Sequence, residues 1–161
     1  NADVRFIRML TFQLNLLPQL SAQALYGIFK ARCEVFVVEQ HCAYPDIDDT
    51  DLVCWHLQGF IDNNLACYAR IIPPDYHYLG YVAIGRVLTV GNFRGHHYGR
   101  DLMQKAIEIC QQYYPSQPIF IAAQTYLIHF YQALGFCIQG DCYLEDGIEH
   151  VNMILEGKHD A

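Results

Sequence analysis

The sequence lacks any apolar run that approaches the roughly 20 residues needed to span a membrane, although 53% of its residues are hydrophobic. Basic residues are also scarce: 10 Lys and Arg face 17 Asp and Glu, which gives a formal net charge of −7 at pH 7. Cations that neutralise phosphates supply much of the affinity for nucleic acids, so this balance argues against such a partner. We therefore expect a protein that engages neither membranes nor nucleic acids.

The seven cysteines include no C-x-x-C pair, and their odd number and wide spacing argue against both a zinc module and a disulfide framework. Reduced thiols, together with the lack of a signal-peptide pattern, predict a cytoplasmic protein. No linker rich in Pro, Gly or Ser divides the 161 residues, so we expect a single domain over 3–157. The leading Asn1-Ala2 is interpreted as a remnant of cloning.

Hydrophobic periodicity predicts an alternation of strands and helices. Ser21 is the predicted N-cap of a first helix that runs into the segment VFVVEQ. The apolar stripe of this helix comprises Leu25, Ile28, Phe29 and Cys33. A second helix is expected after the glycines that follow residue 90, and a third over 126–134. The predicted strands cover 6–13, 54–60, 65–72, 81–90, 119–123, 136–143 and 148–155. This order predicts an α/β (α+β) fold with helices on a mixed sheet.

Two glycines mark the transition from the fourth predicted strand to the second helix. Gly95 and Gly99 lie between Arg94 and Arg100, where the free N–H groups of a first helical turn would converge on an anion such as a diphosphate. The alternative is an ordinary strand-to-helix turn. Neither the G-x-G-x-x-G fingerprint of dinucleotide folds nor a Walker A sequence is present.

The segment VLTVGNFRGHHYGRDLM resembles motif A of the GNAT superfamily of N-acetyltransferases, whose [R/Q]-x-x-G-x-[G/A] pattern maps to 94–99. His97 stands where the family has its first glycine, so this loop must accommodate a side chain there. IFIAAQTYLIHFYQALGF resembles motif B, with Phe130, Tyr131, Gly135 and Phe136 at matching positions. RCEVFVVEQHCAYPDIDDTD, IGRVLTV and EDGIEHVNMI resemble the ElaA-type branch of that superfamily.

This resemblance implies the GNAT acyl-CoA N-acyltransferase fold, which has a mixed, mostly antiparallel central sheet with helices on both faces. It also implies transfer of an acetyl group from acetyl-CoA to a primary amine, with no metal. By the resemblance, the main chain of Leu88, Thr89 and Val90 would pair with the pantetheine arm, and the amide of Gln124 would bind the cofactor. The residues expected to cradle the diphosphate are Arg94, Gly95, His96, His97, Tyr98, Gly99 and Arg100.

Catalysis by direct attack of an amine on a thioester needs an acid for the leaving thiolate and a base for the amine proton. The resemblance assigns the first role to Tyr131; packing in an aromatic core is its alternative. For the base, Glu39 is the leading candidate, followed by His150 and then His56; a solvated carboxylate and a buried, hydrogen-bonded histidine are the structural alternatives. His56 and Arg86 are assigned to acceptor binding.

Several alternatives stay open from the sequence. The acidic segment DIDDTD, 46–51, would attract a cationic acceptor or form solvated turns. His96-His97 with His41 and Cys42 match no standard set of metal ligands. The acceptor is a small molecule or a peptide amine, and a longer acyl donor or a homodimer are further options. A non-catalytic CoA-binding sensor or regulatory module is the competing function.

Overall fold

The computed structural model describes residues 9–158. Within that range the strands are β1 (Thr11–Leu16), β2 (Trp55–Ile61), β3 (Asn64–Ile72), β4 (Val82–Thr89), β5 (Ile119–Gln124), β6 (Cys137–Glu145) and β7 (Ile148–Leu155). The α-helices are α1 (Ala22–Arg32), α2 (Tyr98–Tyr113) and α3 (Ile128–Ala133). A π-helical segment, Cys33–Glu39, continues α1 directly, as the sequence predicts for VFVVEQ.

The seven strands form one sheet in the order β1-β2-β3-β4-β5-β7-β6. Every neighbouring pair is antiparallel except β4 with β5. The β2–β3 hairpin turns through Asp62 and Asn63, whose φ angles of +48° and +64° are those of a type I′ turn. The predicted mixed, mostly antiparallel sheet is thereby confirmed.

Helices cover both faces of the sheet, because successive strand residues point to opposite sides. On one face, Ile28 and Ala31 of α1 pack with Tyr68 and Leu88. On the other, α2 packs against apolar residues of β2, β3, β4 and β5, in a cluster that includes Leu57, Ala69, Val82, Met103 and Ile121. Each fully buried apolar side chain contributes on the order of 1.5–3 kcal/mol to stability.

The hydroxyl of Ser21 accepts a hydrogen bond from the Ala24 N–H (3.0 Å), which confirms the predicted N-cap of α1. Cys33, the last residue of the predicted apolar stripe, is exposed. In an α-helix of 3.6 residues per turn a position five residues on lies roughly 140° around the axis, so Cys33 does not share the buried face of Ile28.

The predicted first strand, 6–13, differs from β1 in the described residues, because 9–10 are not in a strand. Residues 6–8 of that prediction lie outside the described residues, and β1 runs to Leu16, three residues beyond the predicted end. Its final residue pairs with Trp55 at the start of β2, so strand pairing extends β1 past the end that local propensity indicated. No helix in residues 9–158 is long and apolar enough to cross a membrane.

The parallel strands β4 and β5 are paired at only two positions, Val82 with Ile119 and Ala83 with Phe120. Further along β4, Arg86 and Val87 together stand opposite the single residue Ala69. Arg86 has a φ of +49°, which marks this place as a β-bulge. A bulge bends its strand, and β4 and β5 diverge beyond it.

Candidate active site

The divergence of β4 and β5 opens a cleft of about 870 Å³. One wall comprises the end of β4 and the start of α2, with Leu88, Thr89, Arg94 and Gly99; we call it the α2 wall. The opposite wall comes from loops and from the β6–β7 turn; we call it the loop wall. Its residues include Tyr44, His77, Tyr78, Glu145 and Asp146.

The first turn of α2 offers unpaired backbone donors. The N–H groups of Tyr98, Gly99 and Arg100 have no acceptor among residues 9–158, as is usual at a helix start. Around them a depression of about 290 Å³ joins the cleft. Its lining includes six of the predicted diphosphate-binding residues: Arg94, Gly95, His97, Tyr98, Gly99 and Arg100.

His97 explains how the loop accommodates a side chain where the family has glycine. It lies just before α2 in the left-handed conformation, with a φ of +64°, and Gly95 has a φ of +83°. Histidine is among the non-glycine residues that tolerate this region. His96 packs its ring on Tyr98, with centroids 5.6 Å apart, and lines neither the cleft nor the depression.

At the end of β4, alternate backbone groups face the cleft. The Val90 N–H donates to the carbonyl of Ala66 (2.8 Å) on the β3 side, so it is not available to a ligand. Alternation along the strand turns the backbone groups of Thr89 toward β5 and the cleft. Of the three predicted pantetheine-binding residues, Leu88 and Thr89 line the cleft and Val90 does not.

Arg94 bridges the two sides of the cleft mouth. Its Nη2 contacts Glu39 Oε2 at 2.7 Å, and its Nε donates to the carbonyl of Thr89 at 3.1 Å. The Glu39 side chain is 44% exposed, so the desolvation on which its candidacy as a base rested is absent. Gln124, at the end of β5, lines the cleft and donates to the side-chain oxygen of Gln40 (3.3 Å).

Tyr131 combines burial with an unpaired hydroxyl. It lies on α3, is 6% exposed and lines the cleft, with its ring edge-on to Phe130 and Phe136. No residue of 9–158 forms a hydrogen bond with its hydroxyl. Burial raises the pKa of Tyr131 to about 12, so its proton is retained at neutral pH. It is thus both a core residue and a proton donor facing the cleft.

His150 is oriented by a backbone hydrogen bond. Its Nδ1 lies 2.7 Å from the carbonyl of Ile148, and because a carbonyl only accepts, this nitrogen carries a proton. The other ring nitrogen, Nε2, lies 3.9 Å from Glu145 Oε2. His150 lines the cleft, and on β7 it is the strand partner of Gln124 on β5. The structure brings His150 and Tyr131 to the same cavity.

His56 does not reach the cleft. It is fully buried; its Nε2 donates to the carbonyl of Asp51 (3.0 Å), which leaves Nδ1 to accept from the Tyr68 hydroxyl (2.7 Å). Both ring nitrogens are therefore occupied. The structure contradicts the assignment of His56 to acceptor binding or proton abstraction, because it has neither access nor a free lone pair.

Arg86 lines the cleft, but its guanidinium group contacts Asp46 rather than the cavity. Its Nε lies 2.8 Å from Asp46 Oδ1, and its Nη2 donates to the Asp46 carbonyl (3.1 Å). The guanidinium also lies over the ring of Tyr44, 5.4 Å from its centroid, and the Tyr44 hydroxyl donates to Asp46 (2.9 Å). The predicted acceptor-binding arginine therefore fastens the loop wall to the bulge of β4.

A buried charge network continues behind Arg86. Asp51 Oδ1 lies 2.5 Å from Arg32 Nη1 and 3.1 Å from Arg70 Nη1, and Asp48 binds the outer side of Arg70. Burial alone would raise the pKa of Asp51, but hydrogen bonding and the charge of Arg32 outweigh it and hold this pKa below its usual value. Three carboxylates of the DIDDTD segment, Asp46, Asp48 and Asp51, thus neutralise arginines, whereas Asp49 is exposed.

The sequence contained one signal for this network that we missed. Arg70 and Arg86 occur inside otherwise apolar strand segments, ACYARII and VAIGRVLT. Buried guanidinium groups require carboxylate partners, and DIDDTD is the densest source of them. No comparable signal identifies Tyr78 or His77 on the loop wall, because their place depends on how the loop after β3 folds back.

Asp51, Cys54 and His56 bring potential metal-ligand atoms within 4.8 Å of one another. Their lone pairs are not available, however. Asp51 Oδ1 is shared by two guanidinium groups, and burial raises the pKa of Cys54 to about 12, which keeps it a thiol. The Nε2 of His56 carries a proton. These donors do not fit a metal ion.

A mostly antiparallel sheet whose parallel pair diverges into a cleft, with open helix N–H groups at its mouth, defines an acyl-CoA acyltransferase of the GNAT fold. The family model described as "Acetyltransferase (GNAT) domain" matches residues 17–157, and the chain belongs to this family. Protein ElaA of Escherichia coli (strain K12) is 42% identical over 140 residues, which cover 86% of this chain and 91% of that protein. The expected ElaA-type resemblance is confirmed.

Solved structures agree with this assignment. An acyl-CoA N-acyltransferase from Pseudomonas aeruginosa superposes with a TM-score of 0.86 at 35% identity, covering 91% of this chain and 99% of that one. Escherichia coli ElaA superposes with a TM-score of 0.85 at 40% identity, covering 92% and 100%. The chain is therefore an acyltransferase enzyme, of a family that takes acyl groups from CoA.

Proposed function

We propose that this enzyme transfers an acetyl group from acetyl-CoA to a primary amine by direct attack of the amine on the thioester. The observation that carries the proposal is that unpaired amides at the start of α2 and the hydroxyl of the buried residue Tyr131 share one continuous cleft. The amides supply a place for the carrier, and the hydroxyl supplies a donor for its sulfur.

The diphosphate of the carrier binds at the first turn of α2. The N–H groups of Tyr98 to Arg100, the helix dipole and the charge of Arg100 all favour an anion there. Arg94 joins them after exchanging Glu39 for a phosphate oxygen. The pantetheine arm pairs with the cleft-facing backbone groups of Thr89, which extends the sheet where β5 has diverged. Gln124 supports the arm from β5.

His150 accepts the proton of the attacking amine. An alkylamine of pKa near 10 is neutral in about one molecule in a thousand at pH 7, which costs about 4 kcal/mol. The Nε2 lone pair of His150 takes that proton as the nitrogen bonds to the thioester carbon, and Glu145 at 3.9 Å stabilises the resulting imidazolium. Glu39 remains the alternative base, since it also lines the cleft.

Tyr131 assists departure of the sulfur as the carbon–sulfur bond breaks. A thiol has a pKa of about 8.5, whereas burial raises the pKa of Tyr131 to about 12. Tyr131 therefore stabilises the thiolate mainly through a hydrogen bond, and a full proton transfer from it is uphill. A contribution of roughly 10²-fold, at the low end for general acids, is expected.

Thiol release tests this function. Purified protein is titrated with acetyl-CoA in a thermal-shift assay, and free thiol is then measured with and without a panel of primary amines. Amine-dependent release together with acetylated amine identified by mass spectrometry supports the proposal. A thermal shift without amine-dependent release over the whole panel would contradict it and favour a sensor that binds CoA without turnover.

A further inference from the structure

The cations of the loop-wall side of the cleft are already neutralised. Arg70 contacts Asp48 at 2.7 Å and Asp51 at 3.1 Å, and Arg86 contacts Asp46 at 2.8 Å. The Nε of Arg70 has no hydrogen-bond acceptor in residues 9–158, but this atom is shielded from the cleft. An acceptor with a carboxylate would therefore find no free positive charge here.

Two carboxylates on the loop wall, in contrast, have no arginine or lysine partner among the described residues. Glu145 and Asp146 form the β6–β7 turn and line the cleft. Within the described residues, the ion-pair partner of Glu145 is His150, at 3.9 Å, and Asp146 has none. The Asp146 carbonyl accepts from the Cys42 thiol (3.5 Å), which anchors the turn against the loop that follows α1. Both carboxylates are exposed at the cleft, and no arginine or lysine of the described residues pairs with either of them.

Two polar groups that line the cleft with these carboxylates have no hydrogen-bond partner among the described residues. The Tyr131 hydroxyl, on a residue 6% exposed, and the His150 Nε2, on a residue 9% exposed, line the same cleft without hydrogen bonds to described residues. They are the atoms expected at the reacting end of a bound acceptor. The rings of Tyr78 and Phe120, stacked at 3.8 Å, provide an apolar surface on that side.

We infer that the acceptor is a diamine-type molecule, in which a short apolar chain joins the reacting amine to a second cationic group held by Glu145 and Asp146. The inference rests on the function proposed above and adds the substrate class. The reacting amine loses its proton to His150, whereas the second cation stays charged and requires anionic partners. Aromatic faces such as Tyr78 stabilise cations in addition to apolar chains.

Three acceptors of similar length distinguish the possibilities: putrescine, butylamine and gamma-aminobutyrate, each assayed with acetyl-CoA. We expect kcat/KM to be up to about fivefold higher for putrescine than for butylamine, the effect of a charge pair with exposed carboxylates, and lowest for the carboxylate. Equal or better use of butylamine or gamma-aminobutyrate would overturn the inference while leaving amine acetylation intact. No amine-dependent thiol release from any of the three would overturn the diamine inference alone, whereas release from no amine of the wider panel would overturn the proposed function as well.

Variants of Glu145 and Asp146 test whether these two carboxylates cause the preference for putrescine. The ratio of kcat/KM for putrescine to that for butylamine should fall several-fold in Glu145→Gln and in Asp146→Asn, and further in the double variant. Asn suits position 146 because φ is +51° there. Glu149→Gln is the matched control, since this exposed carboxylate precedes His150 on the opposite face of β7. A ratio that survives the double variant, or that falls equally in the control, would refute the assignment.

Discussion

The two walls of the cleft are built in different ways. The α2 wall comes from one continuous segment, 88–100, and offers mainly backbone groups. The loop wall brings together side chains from the loops after α1 and β3 and from the β6–β7 turn, fastened by buried arginines. A backbone cradle suits a constant ligand such as a diphosphate, whereas separate side chains suit a ligand that differs among relatives. We therefore expect the loop wall to select the acceptor.

The largest effect is expected from Asp51→Ala, because the loop wall depends on the buried network. The substitution leaves the guanidinium groups of Arg32 and Arg70 without a shared partner. Removing one member of a buried pair typically costs about 3–5 kcal/mol, so the free energy of unfolding in urea should fall by that amount. Asp49→Ala, at an exposed neighbouring carboxylate, should change it by less than about 0.5 kcal/mol. Equal stabilities of the two variants would show that the network does not hold this wall.

Tyr131→Phe should have the next largest effect. Loss of the hydroxyl removes the hydrogen bond to the departing sulfur, and kcat should fall roughly 10²-fold. The Kd for acetyl-CoA should stay within a factor of about two, because the α2 wall is unchanged. Tyr26→Phe, at an exposed tyrosine on α1, is the control. An unchanged kcat would exclude Tyr131 from the mechanism and leave it as a core residue.

Gly99→Ala is expected to change cofactor binding at the α2 wall without lowering the stability of the fold. An added Cβ would meet the Thr89 hydroxyl at 3.5 Å, an ordinary contact, and alanine is favourable in a helix, so the melting temperature should not fall. The methyl group would however stand among the amides that bind phosphate, and we expect the Kd for acetyl-CoA to rise about tenfold. Gly91→Ala, where a Cβ meets nothing within 4 Å, serves as the comparison. Unaltered affinity in Gly99→Ala would place the phosphates elsewhere.

The smallest effect is a pH dependence of stability caused by His56. Burial lowers the pKa of His56 below its usual 6.5, so in mild acid the unfolded chain binds a proton that the folded chain does not. Stability should therefore fall as pH drops below about 6.5, before acid reaches Asp48 and Asp51, whose pKa values lie below their usual range. Urea midpoints at neutral and mildly acidic pH measure this slope. His56→Gln, whose amide both donates and accepts, should reduce this slope, and the remainder is expected from His77, whose pKa burial also lowers. A slope that is unchanged in His56→Gln would exclude His56 as its source.

The sequence predicted the α2 wall far better than the loop wall. The glycines, Arg94 and the strand before them are contiguous, so the local glycine pattern placed Gly99 in the cleft and the family resemblance placed Thr89 there. His56 was misassigned because its burial depends on Tyr68 and Asp51, which only tertiary pairing brings to it. The burial of Asp46 and Asp51 was missed for the same reason, since their arginine partners lie on separate elements. Local pattern identifies backbone sites, and side-chain networks require the fold.

Titration calorimetry with two thioesters, acetyl-CoA and acetyl-pantetheine, tests the central claim most directly, because only the first carries the diphosphate. We expect acetyl-CoA to bind with a clear heat and acetyl-pantetheine to bind at least about tenfold more weakly, a difference that shrinks in Gly99→Ala. Equal affinities for the two thioesters, or no heat from acetyl-CoA with folded protein, would contradict a diphosphate cradle at the start of α2.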